Sequence, residues 1–425
     1  MLNAWVPTEP VHPKIATRRL DTAGDHAPPA VSIPTSAPPS CETRLPTALL
    51  LTMMGRKRGR TTLVEPCSAA STTGWSASIV SEAQSAYRRA GVDIDKKYAA
   101  VTGASEAIRN TYTPGVLGDV GAFGGLFDLD RAGVAGQLMV ASTDGVGTKV
   151  MIAAQRGDMG SVGEDLVNHC VDDILVQGAR PLFFLDYIAM SQMVPDRVQQ
   201  IIHGMAKACS ENGCALLGGE TAEMPGVYRD GEVDVAGTIV GSVPRDHLLD
   251  GSRIAAGDQL IGLPSSGLHT NGYSLARKVL FEDAGFQLDD TPEELQGTSV
   301  GDALLAVHKS YLGPCLPLVE QGLIQGMAHI TGGGLPDNVP RVLPKGLGVN
   351  IEVGAIPKSP ICELIVARGN VDRDEAYRVL NMGIGMVLFV RKDDVDGVLS
   401  ACRAAGEQPF QVGEVVQSDV KVSLS

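Results

Sequence analysis

The stretch that decides the fold is Leu138-Met-Val-Ala-Ser-Thr-Asp-Gly-Val-Gly-Thr-Lys149. An apolar run leads into a glycine loop and then into a helix-like segment, so we predict a strand, an anion-binding loop and a helix. The glycines let backbone amides approach an anion, the threonines add hydroxyl donors, and Lys149 adds a positive charge. Asp144 is a candidate cation ligand. The spacing is not that of a Walker A sequence, and an ordinary glycine turn is the alternative.

Apolar runs alternate with helix-like segments on both sides of this stretch, which is typical of an α/β protein. The predicted strands are residues 138–142, 181–190, 233–243, 259–263 and 385–390. The predicted helices are residues 161–177, 196–212, 271–284 and 372–381, stopped by Gly178, Gly213, Gly285 and Gly383 respectively. The first is opened by the capping box Ser161-Val-Gly-Glu164. A new strand–loop–helix series begins after Asp250-Gly251. We therefore predict two domains, residues 81–247 and residues 248–425.

The composition excludes several classes of protein. The 425 residues carry 35 Lys and Arg against 49 Asp and Glu, a formal net charge of −14. Such a surface repels nucleic-acid backbones, so we expect no nucleic-acid partner. The sequence has no apolar run of about 18 residues, so we expect no membrane span. Its eight cysteines include no C-x-x-C pair, which favours buried, reduced thiols over a zinc site or disulfides.

Residues 1–80 differ from the rest of the chain. They hold 10 of the 25 prolines, 4 of the 50 glycines, and 8 Lys and Arg against 5 Asp and Glu. Segments such as Ser36-Ala-Pro-Pro-Ser40 resist helix and sheet, which favours a disordered tail. An organelle transit peptide and a true start at Met53 or Met54 are the alternatives; a secretory signal does not fit the order of the charges. We expect a cytoplasmic protein, or a plastid or mitochondrial one if this segment is a transit peptide.

The predicted helix 161–177 carries ionisable side chains on one face. Asp165, His169 and Asp173 follow one another at intervals of four residues. Asp173 precedes an apolar run and the exit Gly178-Ala-Arg-Pro181, and an acid in this setting is more easily a Mg²⁺ ligand than a solvated charge. His169 fits a structural histidine better than a ligand.

Two glycine loops in the first half are weaker candidates. Gly118-Asp-Val-Gly-Ala-Phe-Gly-Gly125 has the composition of a flap over phosphates, with a plain surface loop as the alternative. Gly218-Gly-Glu-Thr-Ala-Glu-Met-Pro-Gly226 places Glu220 after a glycine pair, and its alternative is a hairpin turn with a charged tip.

Two loops in the second half combine glycine amides, hydroxyl groups and one histidine each. They are Ser265-Ser-Gly-Leu-His-Thr-Asn-Gly272 and Ala328-His-Ile-Thr-Gly-Gly-Gly334. Glycine and threonine suit a substrate phosphate, and His269 and His329 are candidates for proton transfer. The sequence does not decide between the two histidines.

These strings, in this order, closely resemble the phosphoribosylformylglycinamidine cyclo-ligase family, the aminoimidazole ribonucleotide synthetases of purine biosynthesis. Gly91-Val-Asp-Ile-Asp95 and Phe183-Phe-Leu-Asp-Tyr187 add to the resemblance, which covers about Tyr87 to the C-terminus. The chain departs from the family at Asp172, where asparagine is usual, and at Asp119 and Ala122, where glycine is more frequent.

The resemblance implies a fold and an activity. The fold is an α/β (α+β) homodimer of two-domain subunits, with mixed sheets flanked by helices and the N-terminal sheets joined across the dimer. The activity is ATP-dependent closure of formylglycinamidine ribonucleotide to aminoimidazole ribonucleotide. Because hydroxide is a poor leaving group, the formamide oxygen is phosphorylated before the amidine nitrogen displaces it as phosphate.

The resemblance and the residue types of the motifs together assign roles to residues. Magnesium ligands would be Asp144, Asp173 and Glu220, and the catalytic groups would be His269, His329 and Lys149. The nucleotide would contact Gly118, Gly121, Gly124, Gly125, Thr143, Asp144, Gly145, Gly147, Thr148 and Lys149. The substrate phosphate would contact Ser266, Gly267, Thr331, Gly332 and Gly333.

Rival interpretations exist within and outside this superfamily. A selenophosphate synthetase carries a reactive Cys or selenocysteine before its glycine loop, and residues 98–116 contain no cysteine. A thiamine-phosphate kinase is the other enzyme alternative. A non-catalytic nucleotide-binding scaffold is expected to have lost a phosphate-site acid or Lys149, and this chain has all of them.

Overall fold

The computed structural model describes residues 94–118, 125 and 127–425. The predictions for residues 1–80 and for Gly121 and Gly124 therefore lie outside the described residues. The described part forms two mixed β-sheets with helices packed against them. This confirms the predicted fold class.

The first half of the described chain builds a four-stranded sheet in the order β1-β4-β2-β3. Strands β2 and β3 are parallel, and the other pairs are antiparallel. The elements are α1 Ile94–Arg109, β1 Leu138–Gly145, α2 Lys149–Arg156, α3 Gly160–Leu175, β2 Arg180–Met190, α4 Pro195–Glu211, β3 Ala215–Glu223 and β4 Val233–Val243.

The second half builds a six-stranded sheet in the order β10-β7-β9-β5-β8-β6, with only β10 and β7 parallel. Its elements are β5 Gln259–Pro264, α5 Tyr273–Arg277, α6 Val300–Leu305, α7 Leu312–Glu320, β6 Ile324–His329, α8 Gly334–Asn338, β7 Leu347–Ile351, α9 Pro360–Gly369, α10 Arg373–Val379, β8 Ile384–Val390, α11 Val395–Ala404, β9 Phe410–Gln417 and β10 Val422–Leu424. A π-helical turn over Lys278–Asp283 continues α5.

All five predicted strands are present, as β1, β2, β4, β5 and β8. The predicted helix 271–284 is present from Tyr273 to Asp283, with α-helical geometry up to Arg277 and π-helical geometry from Lys278. The predicted capping box at Ser161 is wrong, since α3 begins at Gly160 and the buried Ser161 hydroxyl has no partner among the described residues. Asp158 Oδ1 accepts instead from the Gly160 N–H at 3.1 Å, and Gln200 Oε1 from the Met159 N–H at 2.9 Å.

Helix α3 is held tightly against its neighbours, which fixes the side chains of the site. It packs on β1 and β4 and crosses α4. At the crossing, a Cβ atom on Gly163 would collide with the backbone of Ile201, and one on Gly204 with that of Gly160. One hydrophobic core runs from Val140 and Phe184 under the first sheet to Leu388 of the second. Because the interior is close-packed, a side chain on α3 has little freedom to move.

The sequence also led to predictions about the cysteines and about membrane-spanning helices. The six cysteines in the described part of the chain are free and buried, as predicted. Among the described residues, no helix is both long and apolar enough to cross a membrane.

Candidate active site

Four histidines from four segments converge between the two sheets. His169 lies on α3, His269 in the loop after β5, His308 between α6 and α7, and His329 at the end of β6. All four are buried. The rings of His269 and His308 stack with centroids 4.0 Å apart, and His308 lies 5.1 Å from His169 and 5.2 Å from His329. The sequence analysis did not find His308, which stands outside any motif and outside any helix or strand.

Two of the predicted metal acids lie together beside this cluster. His169 Nε2 is 2.7 Å from Asp144 Oδ2 and 3.7 Å from Asp173 Oδ2. Asp173 also accepts hydrogen bonds from Ser142 Oγ at 3.1 Å and from His329 Nδ1 at 3.0 Å. The strand places Ser142 and Asp144 on its α3-facing side, because alternate residues of a strand point the same way.

The electrostatics of the site lower the pKa of both acids and raise the pKa of the imidazole between them. Burial opposes ionisation of Asp173, but hydrogen bonding and charge from His329 and His169 outweigh it and hold the pKa of Asp173 below its ordinary value. The pKa of Asp144 is lowered in the same way, against burial, chiefly by His169. Burial also opposes the charge on His169, but Asp144 and Asp173 outweigh it and raise the pKa of His169.

The ring nitrogens of His269, His308 and His329 lie within 4.8 Å of one another, a spacing that a transition metal needs. The chemistry of this trio does not fit one. His269 Nε2 accepts from the Ser266 N–H at 3.2 Å, so Nδ1 carries the ring proton and has no lone pair for a metal. In addition, a metal lies in the plane of each ligating ring, and the stacked rings of His269 and His308 do not share a plane.

Lys149 lies buried beneath the glycine loop. Its Nζ is 2.8 Å from both oxygens of Asp165, 2.7 Å from the Ala306 carbonyl and 3.3 Å from the His269 carbonyl. Neither Lys149 nor Asp165 has an exposed side chain. Three oxygen-bearing residues thus surround the ammonium, and contact with a phosphate would require it to leave them.

Glu220 lies away from the other two predicted metal acids. One row of paired residues across the first sheet consists of Asp144, Gly237, Asp186 and Gly219. The next row of paired residues ends at Glu220. Adjacent rows face opposite sides of a sheet, and three strand spacings separate β1 from β3 by about 14 Å. The structure therefore does not bring Glu220 to the same cation as Asp144. Thr143 also faces that opposite side, where its hydroxyl is 2.8 Å from Thr238 Oγ1.

A cleft of about 610 Å³, which we call the main cleft, separates the glycine loop from the loops of the second half. Gly147 and Thr148 line one side, and Gly332 and Gly333 line the other. Arg378 and its 3.0 Å ion-pair partner Asp337 also line it. Sequence reasoning missed Arg378, because it belongs to an ordinary helix pattern and reaches the cleft only through the tertiary fold.

The predicted substrate-phosphate residues divide between two cavities. Ser266 and Gly267 line a separate side cavity of about 300 Å³, together with Lys358 and Ser359. The Ser266 hydroxyl donates to the Val307 carbonyl at 2.5 Å. The Thr331 hydroxyl donates to Asn338 Oδ1, at the end of α8, at 3.2 Å. The five residues therefore do not form one phosphate pocket.

The two described ends of the predicted flap differ in their surroundings. Gly118 and Gly125 are exposed. A Cβ atom on Gly125 would collide with Leu217 of β3, so this glycine lies directly on the strand that carries Glu220.

Asp172 differs from its neighbour Asp173 in being wholly buried. Its Oδ1 accepts from the Tyr311 N–H at 2.8 Å, and its Oδ2 lies 3.5 Å from His308 Nε2. Burial raises the pKa of Asp172 well above its ordinary value. This carboxyl group is therefore part of the packing between α3 and α7.

The fold and site define an α/β protein of two mixed sheets with a glycine loop and an acid–histidine cluster, and the sequence matches the AIR synthase related proteins. Residues 129–243 match the family model "AIR synthase related protein, N-terminal domain", and residues 255–424 match that of the C-terminal domain. The phosphoribosylformylglycinamidine cyclo-ligase of Shouchella clausii (strain KSM-K16) is 48% identical over 334 residues, covering 79% of this chain and 96% of the relative. The chain belongs to the phosphoribosylformylglycinamidine cyclo-ligase family, as its motifs predicted.

Solved structures share the fold at much lower identity. Thiamine-monophosphate kinase from Stenotrophomonas maltophilia K279a has a TM-score of 0.59 at 16% identity, covering 77% of this chain and 96% of that one. Hydrogenase maturation protein HypE in complex with ATP has a TM-score of 0.57 at 17% identity, covering 77% and 90%. At these identities the likeness shows the fold alone.

Proposed function

We propose that this chain closes formylglycinamidine ribonucleotide to aminoimidazole ribonucleotide with the conversion of ATP to ADP and phosphate. The main cleft carries the proposal, because the glycine loop that follows β1 faces the Gly332-Gly333 loop across it. Asp144 lies directly before that loop, beside Asp173. Membership of the cyclo-ligase family and the ATP named with the HypE structure support this choice of reaction.

The chemistry has two bond-making steps. The formamide oxygen attacks the γ-phosphorus of ATP, the P–O bond to ADP breaks, and the formamide nitrogen loses its proton. The ribosyl-bearing amidine nitrogen then attacks the former formyl carbon and loses its proton, and phosphate leaves with the C–O electron pair. A proton shift from the ring CH₂ to the exocyclic imine nitrogen makes the imidazole aromatic. The protein must therefore bind phosphates at two places and accept protons.

The donor set at Asp144 and Asp173 fits a magnesium ion. Carboxylate oxygens are what Mg²⁺ takes from proteins, and both acids are held ionised. A bound Mg²⁺ would neutralise charge on the ATP phosphates. Glu220 would need a separate cation, because it faces the other side of the sheet.

The residues of the chain take distinct tasks in this proposal. The amides at Gly147 and Thr148 bind nucleotide phosphates, and Gly332, Gly333 and Arg378 bind the ribose phosphate across the cleft. His329 holds Asp173 in place rather than accepting a substrate proton, because Asp173 and His308 occupy both of its ring nitrogens. The buried amine of Lys149 supports the loop from below rather than contacting phosphate.

We propose that a second copy of the chain covers the outer side of the first sheet. Met139, Leu185 and Tyr187 point to that side and are 46%, 37% and 37% exposed. Grouped exposed apolar side chains on a sheet mark an interaction surface. We also propose that residues 81–247 and 248–425 are two domains that share one hydrophobic core, since each carries one of the two sheets.

The test is an assay of the purified full chain with ATP and Mg²⁺. We expect ADP release only when formylglycinamidine ribonucleotide is present, with aminoimidazole ribonucleotide formed in equal amount. A parallel reaction contains thiamine monophosphate instead. ADP formation independent of the ribonucleotide, or dependent on thiamine monophosphate, would contradict the proposal.

A further inference from the structure

The hydroxyl group of Thr270 lies between two of the buried histidines. Its Oγ1 is 2.6 Å from His169 Nδ1 and 3.3 Å from His308 Nδ1. Thr270 is 8% exposed and lines the main cleft. A hydroxyl group has one proton, so it can donate to only one of the two rings.

The other contacts fix the direction of this hydrogen bond. His329 Nδ1 faces Asp173 Oδ1, which only accepts when ionised, so His329 donates there and its Nε2 is an acceptor. His308 Nε2 lies 3.2 Å from that acceptor and must donate to it. His308 Nδ1 is then an acceptor, and the hydroxyl of Thr270 donates to it.

The same reasoning applies to the other side of Thr270. Its oxygen accepts from His169 Nδ1, and also from Asn271 Nδ2 at 3.5 Å. His169 Nε2 lies 2.7 Å from Asp144 Oδ2, which is an ion-pair distance. One arrangement of protons satisfies the four hydrogen bonds that run from His169 through Thr270, His308 and His329 to Asp173, and the contact with Asp144 extends the set by one residue. We call this set of six residues the histidine chain.

The histidine chain connects the loop of the main cleft to both acids. Thr270 and His308 come from the second half of the chain, whereas Asp144, His169 and Asp173 come from the first. If the hydroxyl is removed, His169 Nδ1 loses its nearest acceptor and His308 Nδ1 loses its donor. Buried polar groups do not stay unpaired without cost, so the rings reorient and the acids lose their fixed partners.

We propose that Thr270 is a positioning residue, whose hydroxyl holds Asp144 and Asp173 in the arrangement that binds the divalent cation. The expected effect of Thr270 on turnover rests on the proposed function. The expected effects of Thr270 on the ring tautomers and on metal binding without nucleotide do not.

The test compares Thr270→Val, which keeps the shape and removes the hydroxyl, with Thr270→Ser, which keeps the hydroxyl. Thr102→Val on the exposed face of α1 is the matched control. We expect Thr270→Val to raise the Mg²⁺ concentration for half-maximal turnover about tenfold and to lower kcat, with Thr270→Ser within about twofold of wild type. Mn²⁺ binding without nucleotide should weaken in the same order.

The second measurement is independent of activity. In ¹⁵N-histidine-labelled protein, assigned with single His→Asn variants, we expect the ring proton on Nδ1 of His169, His269 and His329 and on Nε2 of His308. Thr270→Val should change the signals of His169 and His308. If Thr270→Val melts well below wild type, Thr270→Ala is measured in the same way.

Each outcome decides the proposal. Tautomers and Mn²⁺ affinity unaffected by Thr270→Val would overturn it, as would Thr270→Ser failing to restore them. If the tautomers and Mn²⁺ binding respond but no variant, nor the wild type, turns over formylglycinamidine ribonucleotide, the positioning role holds and the proposed function fails.

Discussion

The ammonium of Lys149 lies 2.8 Å from the carboxylate of Asp165, and neither side chain is exposed. Asp165 Oδ1 also accepts from the His308 N–H at 2.6 Å. The ion pair therefore joins α2, α3 and the segment before α7. Its desolvation makes it a poor source of net stability, but breaking it leaves an unpaired charge buried.

Lys149→Met should destabilise the protein by about 3–5 kcal/mol. Lys149→Met combined with Asp165→Asn should cost less than the sum of the two single changes, because the amide oxygen still accepts from His308 and no charge is left buried. Urea unfolding of wild type, the two single variants and the double variant measures these free energies. The control is Lys207→Met, whose partner Glu164 is at 2.7 Å but whose own side chain is 58% exposed, with an expected loss of about 0–1 kcal/mol. A raised KM for ATP at unchanged stability would show instead that Lys149 binds phosphate.

Deleting residues 1–80 should leave turnover and melting temperature unchanged. The proline-rich composition of this segment offers little apolar surface for packing. Both quantities are measured on the truncated and full chains, and a large loss in either would mean that the segment docks on the body. Residues 1–80 fused to a reporter test separately whether they direct a protein to a plastid or mitochondrion or leave it in the cytoplasm.

Leu185→Glu should yield monomers. Leu185 is central on the outer side of the first sheet, where a charge in an apolar contact is costly. Sedimentation velocity measures the oligomeric state. Leu129→Glu is the matched control, because Leu129 has a similar exposure of 38% but lies in a turn before β1. A wild-type chain that sediments as a monomer, or a Leu185→Glu variant that remains a dimer, would contradict the proposed interface.

Patterns that depend on neighbouring residues could be predicted from the sequence. The apolar runs gave the five strands, and Gly178 and Gly213, both at positive φ, end α3 and α4 as expected. The spacing of His169 and Asp173 correctly placed them on one face of a helix. Asp144 came from the loop motif, and its position beside Asp173 follows from packing α3 against β1.

Features that depend on distant partners could not be predicted. The N-terminus of α3 is capped partly by Gln200, from the next helix, so the local signal at Ser161 misled. The loop motif suggested that Lys149 adds its charge to an anion site, but its ammonium pairs with Asp165, which lies on a different helix. The side of the sheet that Glu220 faces depends on a register shift between Phe184 and Leu185, which no local pattern announces.

Asp186→Asn should stabilise the protein at neutral and higher pH. Burial raises the pKa of Asp186 to about 7. The unfolded chain ionises this group near pH 4, so between about pH 4 and 7 the folded state holds a proton that the unfolded state has lost. Stability therefore falls as the pH rises through this window and levels off above it.

The size of this effect is on the order of 2–4 kcal/mol above pH 7. Urea midpoints at pH 5 and pH 8 should differ less for Asp186→Asn than for wild type. Exposed Asp419 provides the control variant, Asp419→Asn, which should keep the wild-type pH dependence. If the urea midpoint of Asp186→Asn changed with pH as much as that of wild type, a group other than Asp186 would be responsible.

The final prediction separates two adjacent acids, Asp173 and Asp172. Asp173→Asn keeps an acceptor for His329 but removes the charge proposed to hold Mg²⁺, so kcat should fall on the order of 10² to 10⁴. Asp172→Asn keeps the acceptor for the Tyr311 N–H and replaces a buried carboxyl group with a neutral amide, so turnover should stay near wild type.

Stability distinguishes the two variants as well. The lowered pKa of Asp173 contributes stability above its unfolded pKa, and this is lost as the pH falls through the folded value, so Asp173→Asn should cost about 1 kcal/mol at pH 7 and less at pH 3. The raised pKa of Asp172 has the opposite sign, so Asp172→Asn should be neutral or stabilising at pH 7. Steady-state kinetics against Mg²⁺ concentration measures the turnover of both variants, and urea unfolding at pH 7 and pH 3 measures their stability. Near-normal turnover in Asp173→Asn, with loss of turnover in Asp172→Asn, would show that Asp173 is not the cation ligand on α3.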